Sequence, residues 1–217
     1  MPWRQWAISL LFPVLALAAP PEGRLVDRAV ASIEERVITA SQLDFEARVL
    51  LVNAGGVNAA FAPLDQAVLE SSLRLMIDQR LAVLEADKLE AYPLEPGELE
   101  KAIAGFRARF ESEGHFARFL QLHEAELGDV AEVLRRNLRA QRALEGKLRL
   151  RAQVGEAEAQ AYQLAHPELK NSSVEQVRSL LAQKKFGELV KRELQEQRRQ
   201  SDVRLLGPFA PKPSGGR

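Results

Sequence analysis

Apolar residues recur every three or four positions through most of the chain, which is the spacing of amphipathic α-helices. The longest such stretch begins near Pro63, a favourable residue for a first helical turn, and continues to about Leu89. Its broad apolar stripe predicts the central helix of the core. The same spacing predicts six further helices, over about 42–52, 99–110, 116–122, 128–144 and 156–166, and from 172 or 173 to about 199.

Three short segments near the two chain ends have the composition of strands. Residues 25–33 and 37–39 are rich in β-branched side chains and predict a hairpin around residues 34–36. The type of its turn stays open, because the segment lacks the Asn-Gly or Asp-Gly of tight hairpins. Residues 202–206 predict a single strand. Since a lone strand must pair its backbone groups, we expect the two ends to meet in one small sheet.

Local signals mark one helix start and the end of the folded part. Residues 41–44 (Ser-Gln-Leu-Asp) have the pattern of a capping box at the start of the first helix. Residues 208–217 are rich in Pro and Gly, which predicts a disordered tail. The expected fold is therefore mainly α. It has one helical domain over residues 19–207 and a small β-sheet formed by the N-terminal hairpin and the C-terminal strand.

Residues 1–18 have the features of an export signal. Arg4 precedes an apolar run that ends at Ala18, and Ala16 and Ala18 have the small-x-small spacing at which signal peptidase cleaves. The apolar run is too short to cross a bilayer core of about 30 Å as a helix. We therefore predict cleavage after Ala18 and no stable membrane insertion afterwards, with a retained anchor as the alternative.

The composition narrows the classes of partner and chemistry. The 30 basic residues balance 30 acidic ones, so no net positive field draws the whole protein to nucleic acid, and we expect no such partner. The chain has no cysteine, which excludes disulfides, a thiol nucleophile and lipidation on cysteine.

No group of residues has the pattern of a catalytic or metal site. The three histidines are His115, His123 and His166, and the first two are spaced too far apart to share a helical face as an i,i+4 pair does. Carboxylates such as Glu98 and Glu156 lie in predicted first turns, where they favour the helix dipole. We therefore expect no catalytic residue, no metal and no cofactor.

Four segments follow one another in an order that a known family shares. They are residues 26–44 (hairpin and first helix), 71–86 (central helix), 94–103 (the helix after it) and 186–206 (last helix and strand). In this order they resemble the periplasmic chaperone SurA and its relatives. The resemblance covers nearly all of the chain after the signal, and it implies a periplasmic, helical chaperone module.

The chain departs from that family in one respect. Prolyl isomerase domains of the parvulin type usually follow a segment like residues 158–167, yet here only residues 168–172 separate that segment from the last helix. Such a short connection cannot hold a domain. The resemblance therefore implies the chaperone module without the isomerase, and we expect no enzyme activity.

Eight apolar residues are candidates for contact with unfolded polypeptides. Four flank the Gly55-Gly56 break, and four are phenylalanines on two short neighbouring helices. An open groove between the N-terminal helices and the last helix would bury client segments without reading their sequence. Alternatively, the phenylalanines are plain core. The eight are Val49, Val52, Val57, Phe61, Phe106, Phe110, Phe116 and Phe119.

A run of arginines follows in the next long helix. It either forms a solvated helix face or contacts anionic lipid or acidic client segments, and both interpretations stay open. The run consists of Arg135, Arg136, Arg139, Arg142, Arg149 and Arg151.

With the resemblance, these features predict an ATP-independent holdase in the periplasm. It would bind unfolded exported polypeptides, with outer-membrane protein precursors as the client class that the resemblance implies, and would keep them from aggregating. The alternatives are a non-catalytic assembly subunit that binds one dedicated partner, and a peptidyl-prolyl isomerase by family name. The sequence leaves client identity and oligomeric state open.

Overall fold

A computed structural model describes residues 27–211. The predicted signal peptide, with its cleavage after Ala18, and residues 212–217 of the predicted tail lie outside the described residues. The fold is mainly α with one small antiparallel sheet, which confirms the predicted class. The elements are β1 Ala29–Ile33, β2 Arg36–Thr39, α1 Ala40–Asn53, α2 Gln66–Lys88, α3 Glu98–Arg107, α4 Glu113–Leu122, α5 Leu127–Leu148, α6 Glu156–Ala165, α7 Val174–Gln200 and β3 Val203–Leu205.

The sheet joins the first and last described strands, because β1 lies between β2 and β3. Ile33 of β1 pairs with Arg36 on one side and with Val203 on the other. The pairing continues beyond β3, where the Leu206 N–H donates to the Val30 carbonyl over 2.8 Å. The prediction that the two ends of the domain meet in one sheet is confirmed.

The chain after β3 stays packed for longer than predicted. Gly207–Phe209 form a 3₁₀ turn, and the Phe209 side chain contacts the apolar cluster of the sheet. Packing therefore continues to Phe209, one residue past the predicted start of the tail at Pro208, and the tail beyond residue 211 stays a prediction. The aromatic ring gains apolar burial there that a free tail would not have.

Helix α1 begins earlier than predicted because Thr39 forms the capping box. The Thr39 hydroxyl accepts from the Gln42 N–H over 3.4 Å, and the Thr39 N–H donates to the Gln42 side chain over 3.2 Å. The predicted box over residues 41–44 is wrong, since β2 leads directly into the helix and makes Thr39 the last extended residue. The Ser41 hydroxyl instead bonds to the Asp27 carboxylate.

Two other helix starts also depend on side-chain caps. Helix α2 begins after Asp65 rather than near Pro63, and α4 begins after Ser112 rather than near residue 116, so it includes Gly114. In each case a short polar side chain accepts a backbone N–H at the helix start. Apolar spacing alone does not show where such a cap acts.

Apolar clusters and a few ion pairs hold the elements together. One cluster packs the sheet against α1 and α2, a second joins α1, α3, α4 and α5, and a third joins α6 to the first half of α7. The second half of α7 is tied to α2 by Arg198, which donates to Asp78 over 2.7 Å, and to α5 by Lys147, which donates to Glu193 over 2.7 Å. No helix within residues 27–211 is long and apolar enough to cross a membrane.

Candidate functional site

The structure buries six of the eight predicted binding residues in one cluster. Each is at most 7% exposed. The ring of Phe110 lies 5.5 Å from that of Phe106 and 5.4 Å from that of Phe119. Another chain could reach these side chains only if the core opened. They therefore belong to the core and do not line the open groove that was expected. The six are Val49, Val52, Phe106, Phe110, Phe116 and Phe119.

The other two candidates lie near the surface. Val57 is half-buried in the 3₁₀ turn after α1, and the Phe61 side chain is 37% exposed. The Phe61 ring lies 5.7 Å from the His115 ring, and the Arg118 guanidinium lies 5.8 Å from its centre. Of the eight, Phe61 is therefore the most accessible to another chain.

A buried arginine fixes the segment between α1 and α2. Arg48 donates from Nη1 to the carbonyls of Ala59 and Ala62, over 2.7 and 2.8 Å, and it also pairs with Asp44 over 2.7 Å. A ring nitrogen of His123 lies 2.9 Å from the Ala60 carbonyl. These bonds hold the Gly-Gly segment against α1 and α4. The only sequence signal was the i,i+4 spacing of the Asp-Arg pair.

An accessible cleft lies between α5 and α7, and we call it the α5–α7 groove. It has a volume of about 460 Å³. Its apolar lining residues are Ala152, Ala182 and Phe186, and the others are polar or charged. Two exposed leucines adjoin lining residues in the sequence: Leu150 is 76% exposed and Leu180 is 47% exposed. The sequence predicted a groove between the N-terminal helices and the last helix, and none of its eight candidate residues lines this one. The lining consists of Glu145, Arg149, Ala152, Gln153, Ser179, Ala182, Gln183 and Phe186.

Glu46 is a buried carboxylate of α1 that binds arginines from two other helices. It is 6% exposed and accepts from Arg80 of α2 over 2.7 Å and from Arg136 of α5 over 2.8 Å. Burial lowers the pKa of Arg80, and the Glu46 charge opposes that effect. The sequence does not reveal this cluster, because a glutamate 34 and 90 positions from its partners leaves no local pattern.

Arg80 and Arg136 also line a second cleft, between β2, α2 and α5, which we call the arginine cleft. Its volume is about 340 Å³. Three arginines of the predicted run, Arg135, Arg136 and Arg139, line this cleft. Arg142 instead donates to Glu98 of α3 over 2.7 Å. The lining consists of Arg36, Val37, Gln42, Arg80, Val83, Asp87, Glu132, Arg135, Arg136 and Arg139.

The histidines have separate surroundings. His115 lies 3.5 Å from Glu111, the His123 ring is 4.0 Å from Asp44, and His166 ends α6. Within residues 27–211, no group of three or more His, Asp or Glu side chains is arranged to hold a metal ion. The expectations of no catalytic residue and no cofactor stay predictions.

Known proteins add no assignment to this geometry. Comparison with protein-family models finds no match, and comparison with curated protein sequences finds none either. The resemblance to SurA-like chaperones therefore stays a prediction from the order of the sequence segments.

Proposed function

We propose that this protein is a periplasmic holdase, which binds unfolded exported polypeptides without ATP after its signal peptide has been removed. The observation that carries the proposal is the α5–α7 groove, together with the exposed Leu150 and Leu180, which directly follow lining residues in the sequence. The resemblance to SurA-like chaperones supplies the expected client class, outer-membrane protein precursors. The sheet that joins both ends of the domain supports the module that this resemblance implies.

The size of the apolar contact suits weak and reversible binding. Full burial of an exposed leucine side chain contributes about 1.5–3 kcal/mol. Leu150 and Leu180 still expose 76% and 47% of their surface, so together they contribute about 2–4 kcal/mol before the client is ordered. Every tenfold change in affinity corresponds to about 1.4 kcal/mol, so this gain is far below that of a permanent complex. Because apolar burial has no preferred direction, many client sequences gain from it.

A matched pair of double variants tests whether the groove is the binding surface. Leu150→Gln with Leu180→Gln removes the two exposed leucines that are sequence neighbours of groove-lining residues. Leu89→Gln with Leu122→Gln is the control, since these leucines are 58% and 57% exposed and do not line the groove. The assay measures, by light scattering, how far near-stoichiometric mature protein suppresses aggregation of a chemically denatured outer-membrane protein.

We expect the wild type and the control to suppress aggregation and the groove variant to lose most of that effect. Circular dichroism checks that all three proteins are folded. Failure of the folded wild type to suppress aggregation would contradict the holdase function. Equal losses in the two double variants would show that the groove has no special part.

Crosslinking in the cell envelope distinguishes a holdase from an assembly subunit. A photoreactive residue replaces Gln183 in the groove or, as a control, the exposed Lys101 on α3. A varied set of exported polypeptides trapped at Gln183 but not at Lys101 is expected. Capture of one stoichiometric folded partner would favour the assembly subunit instead.

A further inference from the structure

The arginine cleft contains more positive than negative charge. Its five arginines face three carboxylates: Asp87, Glu132 and the buried Glu46 that binds two of them. Five positive charges against three negative charges leave an excess of two. The five are Arg36, Arg80, Arg135, Arg136 and Arg139.

Two of these arginines have hydrogen-bonding capacity that the described residues do not use. Arg36 is exposed on β2 and takes part in no ion pair within residues 27–211. The Nη1 atom of Arg80 is buried and has no hydrogen-bond partner in the same part of the chain. A buried donor without a partner costs free energy, so a shift of Arg80 that brought Nη1 to an anionic acceptor in the cleft would be favourable.

The strand beside the cleft favours an extended ligand. Strand β2 is an outer strand of the described sheet, so one side of its backbone lies outside the β1–β2 ladder. Arg36 and Val37 line the cleft from this strand, and Val37 is 53% exposed. An extended polypeptide can therefore lie along β2 while its side chains reach the arginines.

The lining fits other anionic partners less well. Single-stranded nucleic acid is usually held by aromatic side chains that stack on its bases, and none of the cleft's lining residues is aromatic. Asp87 and Glu132 would also repel its closely spaced phosphates. A membrane surface is flat, whereas these arginines line a cavity of about 340 Å³.

We propose that the arginine cleft binds an extended polypeptide segment that carries two or more carboxylate side chains. The carboxylates pair with guanidinium groups such as that of Arg36, which has no ion pair within residues 27–211, and that of Arg135, which already pairs with Glu132 through Nη1 and has further N–H donors. This site is distinct from the α5–α7 groove, so it adds a second binding chemistry and does not depend on the holdase function.

The test uses a short fluorescent peptide of alternating Asp and Thr, with a peptide of alternating Asn and Thr as the uncharged control. Binding to the mature protein is measured by fluorescence anisotropy at low and high salt. Arg36→Gln with Arg135→Gln removes two exposed charges from the cleft. Arg109→Gln with Arg151→Gln removes the same charge from exposed positions that do not line it.

We expect the Asp-Thr peptide to bind the wild type, to weaken with salt, and to lose about tenfold or more in affinity with the cleft variant only. Equal binding of the Asn-Thr peptide would overturn the proposal, as would equal losses in the two double variants. Tighter binding of a single-stranded oligonucleotide or of anionic phosphatidylglycerol vesicles, lost in the cleft variant, would assign the site to that ligand instead. Since the readout is peptide binding, its failure leaves the aggregation assay unaffected.

Discussion

The buried Glu46 carboxylate allows a direct test of how α1, α2 and α5 are held together. Glu46→Gln keeps the size of the side chain and removes its charge. Its partners Arg80 and Arg136 then keep two positive charges at 16% side-chain exposure each, without their shared counter-ion. We expect the free energy of unfolding to fall.

The exposure of the partners sets the size of that loss. Removing one partner of a buried ion pair costs about 3–5 kcal/mol, whereas an exposed pair contributes about 0–1 kcal/mol. The arginines keep some contact with water and glutamine still accepts a hydrogen bond, so we expect the lower limit, about 3 kcal/mol. Glu132→Gln is the control, because this side chain is 53% exposed and also pairs with Arg136. The free energy of unfolding of Glu132→Gln should fall by less than about 1 kcal/mol.

Urea unfolding at neutral pH, followed by circular dichroism, measures both losses. If the slope of the free energy of unfolding against urea concentration is unchanged, the variants expose a similar surface area when they unfold. A double-mutant cycle with Arg80→Met should give a coupling above about 1 kcal/mol with Glu46→Gln. A loss for Glu46→Gln no larger than that for Glu132→Gln would refute the reasoning that burial makes this cluster important.

Three further predictions concern other contacts. Arg48→Lys should lower the free energy of unfolding by about 2 kcal/mol in urea, because lysine lacks the planar fork that binds Asp44 and two loop carbonyls, and proteolysis should cut residues 54–62 faster. Phe119→Ala should cost about 3–5 kcal/mol, yet client capture per folded molecule should not change, because this ring is core; a specific loss of capture would contradict that assignment. The bond to Glu193 holds the pKa of Lys147 above its ordinary 10.5. The resulting stabilisation of the folded protein is complete below pH 10.5 and is lost as the pH rises through the higher pKa of Lys147 in the folded state. The urea midpoint of the wild type should therefore fall over this pH range by more than that of Lys147→Met.

Local patterns were sufficient for the type and order of the elements. Each predicted helix forms, because an amphipathic stripe depends on residues within a few turns of one another. The pairing of the strand Val203–Leu205 was predictable for a different reason. Its backbone groups needed a partner, and the N-terminal hairpin contained the only other predicted strands. The starts of α1 and α2 were less accurate, since neighbouring polar residues compete for the cap.

The candidate site was predictable only in part, because the spacing of apolar residues does not distinguish core from groove. Phe119 and Phe186 both lie on apolar helix faces, yet the structure packs Phe119 within the cluster of α1, α3, α4 and α5 and leaves Phe186 lining the α5–α7 groove. Which elements cover a side chain is set by helices far away in the sequence. The burial of Phe119 therefore required the tertiary structure.

A mainly helical fold whose first and last strands share a sheet could be inferred from the residues alone, because helix periodicity and strand pairing follow from short-range geometry and backbone hydrogen bonding. Which apolar residues remain accessible, and which charged side chains pair, depends on how the helices pack against one another. Glu46 and Arg136 are 90 positions apart, and their contact exists because α1 and α5 pack side by side. No local pattern records such a contact, since the free energy that holds it comes from the packing of the whole core.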